Sequence, residues 1–121
     1  MVKTHGLTHL SLAVQDPNRS VEFYAKAFGV REYYRDEEQI QVLGPGPNDV
    51  IAFVRDRKNA GKRAGIDHFG FRLTDPKDID LAVQEVEKAG GRLLRRGEHG
   101  PGLPYAYFAD PDGYEIEVWF E

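Results

Sequence analysis

The chain has 121 residues, a formal net charge of −4, 40% hydrophobic and 30% charged residues and no cysteine, which fits one soluble domain burying roughly two thirds of its unfolded surface. The missing cysteines exclude disulfides, thiolate metal sites and a cysteine nucleophile, and the acidic balance argues against a nucleic-acid partner bound by phosphate neutralisation. No apolar run approaches the roughly 20 residues of a membrane span, so no membrane partner is expected and a cytoplasmic location fits best.

The first stretch with a pattern is Gly6-Leu7-Thr8-His9-Leu10-Ser11-Leu12-Ala13-Val14-Gln15-Asp16-Pro17, and the chain makes it twice. Its second copy is Gly65-Ile66-Asp67-His68-Phe69-Gly70-Phe71-Arg72-Leu73-Thr74-Asp75-Pro76, with glycine, histidine, aspartate and proline all recurring at an offset of 59 (68 − 9 = 59). Such a register points to an internal duplication, with repeats at about 4–54 and 63–121 inside a single domain of residues 1–121. Each copy alternates like a strand. One histidine shares a face with Ser11 and Ala13, or with Gly70 and Arg72, while Leu10, Leu12 and Val14, or Phe69, Phe71 and Leu73, make the opposite face apolar.

A helix comes after each strand. Asp16 reads as an N-cap before Pro17, with Val21, Tyr24 and Phe28 on one stripe and Gly29 as the stop. Asp75-Pro76 begins the second helix in the same way, with a stripe of Ile79, Val83 and Val86 before Gly90-Gly91. Strands are expected at about 30–35, 39–43 and 50–54, and again at 92–95, 104–109 and 115–120. The basic run from Arg55 to Arg63 joins the two repeats as a solvated linker. The order is therefore βαβββ twice, an α+β fold. Short turns make the strands after each helix antiparallel, which disfavours a doubly wound sheet.

The last strand adds a third group. Ile116, Val118 and Phe120 take one face and Glu115, Glu117 and Trp119 the other. A glutamate on a central strand costs several kcal/mol if it is buried unpaired, so Glu117 belongs either on a cation or at an exposed edge. Each histidine alone is more often a satisfied polar residue than a ligand. Two repeat-related histidines and a glutamate on the same kind of module are together harder to dismiss.

These segments, with Tyr107-Phe108-Ala109-Asp110-Pro111-Asp112-Gly113-Tyr114-Glu115-Ile116-Glu117, resemble the vicinal oxygen chelate superfamily: glyoxalase I, bleomycin-binding proteins, extradiol dioxygenases, fosfomycin-resistance transferases and methylmalonyl-CoA epimerases. The resemblance implies paired βαβββ modules curled into an incomplete barrel-like cleft, with a divalent metal on His9, His68 and Glu117. Two imidazoles and a carboxylate with open positions suit Fe(II) or Mn(II), with Zn(II) or Ni(II) also open, and a small substrate chelating through two adjacent oxygens. Glyoxalase I carries a further glutamate where Ala52 stands, which turns the expectation away from that reaction. Extradiol dioxygenases carry a tyrosine at the position of Tyr107 and a His-Gly segment like His99-Gly100, and fosfomycin transferases share a hydroxyl at the position of Ser11. Tyr107, His99 and Ser11 are thus the implied catalytic residues, in an enzyme most like an extradiol (catecholic) dioxygenase. A bleomycin-resistance type of ligand-binding protein and a glyoxalase- or fosfomycin-like lyase or transferase are the alternatives. The family also implies a homodimer in which His9 comes from one subunit and His68 with Glu117 from the other.

Overall fold

The computed structural model describes every residue except 2, 4, 6, 63 and 121, so Gly6 of the first repeat and Arg63 of the basic run lie outside the described residues. Two compact units, Met1–Ala60 and Gly61–Glu121, each hold one copy of the repeat. The first contains β1 (His9–Val14), α1 (Pro17–Phe28), β2 (Arg31–Arg35), β3 (Gln39–Leu43) and β4 (Val50–Arg55). The second contains β5 (Phe69–Arg72), α2 (Ile79–Lys88), β6 (Arg92–Glu98), β7 (Pro104–Ala109) and β8 (Glu115–Trp119). Both are βαβββ modules, as the repeat implies. Among the described residues no helix is long and apolar enough to cross a membrane.

Each unit has one open four-stranded sheet, ordered β1-β4-β3-β2 in the first and β5-β8-β7-β6 in the second. The three strands after each helix pair antiparallel, as their short turns require. The first strand of each unit lies parallel to its last, with His9 opposite Val50 and Phe69 opposite Ile116. This closing pair makes each sheet mixed, and no local pattern in the chain announces it.

Alternation decides which face is covered. In the first unit Leu12, Val14, Ile40, Val42 and Phe53 are buried on one face, with Phe23 and Tyr24 of α1 also buried. The rings of Tyr24 and Phe53 lie 5.0 Å apart, and burying such a ring contributes about 1.5–3 kcal/mol. The buried positions of α1 are Pro17, Ser20, Phe23 and Tyr24. The stripe is thus centred on Phe23 and Tyr24, with Val21 and Phe28 half-buried at its margins.

The helix ends obey the local chemistry. Asp16 accepts from the backbone N–H of Asn18 at 3.0 Å, and Gly29 closes α1 in the left-handed conformation (φ 67°). Asp75 caps its own turn through Lys77, but the next segment, Pro76–Asp78, is a 3-10 turn and α2 begins only at Ile79. The expected helix start at Pro76 is therefore corrected by three residues. In the first copy Ser20 N–H donates to the Asp16 carbonyl, a bond of α type; in the second Asp78 N–H donates to the Asp75 carbonyl, a tighter 3-10 bond. The divergence falls where fully buried Ser20 has the bulkier, half-buried Ile79 as its counterpart. Strand β6 also runs three residues beyond its expected end at 95, to Glu98.

Candidate functional site

The face of each sheet that its own helix leaves uncovered can be read from the register. In the second unit Gly70 of β5 lies opposite Glu117 of β8, which lies opposite Tyr107 of β7, which lies opposite Arg95 of β6. In the first unit the same path runs from Ser11 to Ala52 to Gln41 to Tyr34. Ser11 and Gly70 are repeat-related by the offset of 59, so Ala52 stands in the first unit where Glu117 stands in the second, and Gln41 where Tyr107 stands. Both sheets also carry a β-bulge at the same place, with Tyr33 the extra residue in β2 and Leu94 in β6.

The second unit gathers most of the implied site. Glu117 is 7% exposed on a strand flanked on both sides, which removes the edge-strand reading of this glutamate. Its Oε1 lies 2.8 Å from His99 Nε2 and its Oε2 lies 3.3 Å from His68 Nε2. A carboxylate only accepts, so the His99 nitrogen carries the proton. The other nitrogen of His68, Nδ1, donates to Asp67 Oδ2 at 2.6 Å. In neutral His68 the Nε2 lone pair therefore faces an anionic oxygen, a repulsive pair unless a cation stands between them. Cis ligands each roughly 2.1 Å from an ion lie about 3.0–3.4 Å apart, which the 3.3 Å separation matches. These two donors fit a divalent ion. Within the second unit the described residues assemble no group of three such donors, and His99 is already engaged with Oε1.

Tyr107 completes this side. Its ring meets His68 edge-on at 5.0 Å and carries the Arg95 guanidinium over its face at 4.0 Å. Burial, then the hydrogen bond to Glu117 and the charge of that carboxylate, push the Tyr107 hydroxyl up to about 12, with Arg95 pulling the other way. The phenol thus keeps its proton at neutral pH and acts as a donor. Tyr105, on the same face, stacks on His99 at 4.3 Å and makes Gly97 the residue that fits beneath its ring, because a Cβ there would crowd the hydroxyl.

The first unit holds His9 and Ser11, both exposed on the uncovered face of β1. Beside His9 is a cavity of about 290 Å³ lined by Thr8, His9, Tyr33, Gln41, Val50 and Ala52. Tyr33 donates to Gln41 Oε1 at 2.6 Å, and Gln41 Nε2 donates to Gln39 Oε1 at 3.0 Å.

Of the six implied residues the structure brings His68, His99, Tyr107 and Glu117 together in one unit and places His9 and Ser11 in the other. Sequence reasoning missed Asp67, Arg95, Tyr33 and Gln41. Asp67 directly precedes His68, an adjacency that signals an orienting partner for the imidazole. Arg95 and Tyr33 were hidden by bulges, the first lying just past the extra residue Leu94 of β6 and the second being the extra residue of β2.

The family model for the Glyoxalase/Bleomycin resistance protein/Dioxygenase superfamily matches residues 6–118. A metapyrocatechase of Geobacillus stearothermophilus is 41% identical over 95% of this chain, and a lactoylglutathione lyase of Arabidopsis thaliana is 30% identical over 91%. The chain spans 34% of the length of the first and 42% of the second. The fosfomycin resistance protein FosX of Listeria monocytogenes, solved with Mn(II) and sulfate, superimposes with a TM-score of 0.80 at 20% identity, covering 96% of this chain and 90% of that one. That likeness is one of fold. With its two βαβββ modules and a family match over nearly its whole length, the chain belongs to the glyoxalase/bleomycin resistance protein/dioxygenase superfamily.

Proposed function

We propose that the chain is a divalent-metal-dependent enzyme acting on a small substrate that chelates the metal through adjacent oxygens, most like an extradiol dioxygenase of catechols. His9, His68 and Glu117 are the proposed ligands. Residues 1–121 act as one functional domain, whether the two units that complete a site come from one chain or from two. The observation that carries the reading is the buried Glu117 carboxylate set against His68 Nε2, the nitrogen that Asp67 leaves bare. Mn(II) and Fe(II) are the ions to try first, the former being the ion held by the superimposable FosX structure.

When bound, such an ion supplies an electrophilic centre for two adjacent substrate oxygens. The chain's own residues do the rest. His99 holds Oε1 of Glu117, which leaves Oε2 directed at His68. Tyr107, protonated at neutral pH, offers its hydroxyl proton beside the ligands, and Ser11 presents a hydroxyl two residues beyond His9. The likeness to the Arabidopsis lyase favours a second reading, a lyase of the glyoxalase type. Ala52 weighs against it, since the first unit has no carboxylate at the position equivalent to Glu117.

The test is metal content and calorimetric Mn(II) binding, and then oxygen uptake with catechol. Wild-type protein is expected to bind Mn(II) or Fe(II), and Glu117→Ala to lose most of the metal and all metal-dependent turnover while its circular dichroism is unchanged. Tyr107→Phe and His99→Ala should keep the metal and lose about 10²–10⁴-fold in rate. If wild type binds no divalent ion more tightly than Glu117→Ala, the reading fails and a ligand-sequestering protein takes its place.

A further inference from the structure

We propose that Tyr33 and Gln41 set the specificity of the first-unit cavity, favouring a substrate whose non-chelating end is a neutral hydrogen-bonding group over one that ends in a charge. The inference rests on the chelating reading of the site and names the class of substrate within it.

Three observations carry it. First, among the described residues the cavity lining, apart from His9 itself, consists of uncharged side chains: Thr8, Tyr33 and Gln41 are polar, Val50 and Ala52 apolar. An ionised substituent lying against that wall would find no counter-charge among those side chains. Ala52 matters here because its equivalent in the second unit is a carboxylate.

Second, Tyr33, Gln41 and Gln39 form a relay on the uncovered face, at 2.6 and 3.0 Å. Tyr33 gives its proton to Gln41, and Gln41 gives one amide hydrogen to Gln39. Among the described residues this leaves the Tyr33 oxygen as an acceptor and the second Gln41 amide hydrogen as a donor. Turning the Gln41 and Gln39 amides over together reverses the relay, so that Gln41 donates to the Tyr33 oxygen; the Tyr33 hydroxyl is then left as a donor and Gln41 Oε1 keeps a lone pair as an acceptor. A hydroxyl, which both gives and takes a hydrogen bond, complements that pair; a carboxylate can only accept.

Third, Tyr33 reaches this face as the extra residue of the β2 bulge, a device that re-aims side chains. The cavity, about 290 Å³, sits at the bottom of the range for small-molecule pockets, which suits one ring with a short substituent.

The test uses the full chain loaded with Mn(II), under anaerobic conditions, with calorimetric Kd values for 4-methylcatechol, 4-(hydroxymethyl)catechol and 3,4-dihydroxybenzoate. The hydroxymethyl compound is expected to bind about fivefold more tightly than the methyl compound, as one good neutral hydrogen bond allows, and at least tenfold more tightly than the benzoate. In Tyr33→Phe and in Gln41→Leu the ratio of the hydroxymethyl and methyl values should fall to near one, with metal content unchanged. Gln41→Lys should shift the preference towards the benzoate. Catechol binding with the same ratios in wild type and all three variants would overturn the inference and leave the chelating site standing. Metal uptake with no binding of any catechol would overturn both.

Discussion

Asp67 holds Nδ1 of His68 at 2.6 Å, and that contact decides which imidazole nitrogen remains for a ligand. Outer partners of this kind carry roughly 10–100-fold in metal affinity. Asp67→Asn is therefore expected to weaken Mn(II) binding by that factor with the fold intact, as calorimetry will measure; an unchanged affinity would mean His68 is oriented by something else. Tyr107 gives a pH signature in the metal-free protein. Its hydroxyl ionises near 12 when folded and near 10 when unfolded, so between those values the folded state binds more protons and stability falls as pH rises. Tyr107→Phe should flatten that loss in urea titrations across pH 10–12. The proposed ligands His9, His68 and Glu117 were legible because the repeat set two of them in register and the alternation of 115–120 put the third on a polar face. Asp67, Arg95, Tyr33 and Gln41 were not, since their parts depend on cross-strand neighbours and a bulge that no local spacing reveals.

At the scale of elements, the turns and caps were readable because their chemistry is local. Asp16, Pro17 and Gly29 bound α1 as a carboxylate, a fixed φ and a free φ dictate. The second copy shows the limit: the same Asp-Pro signal opens a 3-10 turn, at the place where half-buried Ile79 replaces the fully buried Ser20 of the first copy. Two glycines should separate backbone strain from crowding. A Cβ at Gly29 would meet nothing within 4 Å, so Gly29→Ala is expected to cost only its left-handed conformation, about 1–2 kcal/mol in chemical denaturation. At Gly61, also left-handed (φ 74°), a Cβ would run into the Asp112 carbonyl, and Gly61→Ala should cost distinctly more. Equal losses for the two would show that the Asp112 turn yields freely.

For the whole molecule we propose a pair of chains, and sedimentation at micromolar concentration is expected to give a dimer of about twice the 13.7 kDa chain. A monomer that still binds metal would show that one chain completes the site by itself. The order of strands bears on how each unit comes into being. Its sheet closes only when the first strand meets the last, and those partners lie far apart along the chain: His9 with Val50, 41 residues on, and Phe69 with Ile116, 47 residues on. Loop closure over such distances is entropically costly before any contact repays it, and it slows folding relative to local pairing. During synthesis β1 waits with an unpaired edge until β4 has been made, and β5 waits likewise for β8. The strand that bears Glu117 is thus the one whose arrival completes the second sheet, so the proposed carboxylate ligand is positioned by the same event that ends the assembly of its unit.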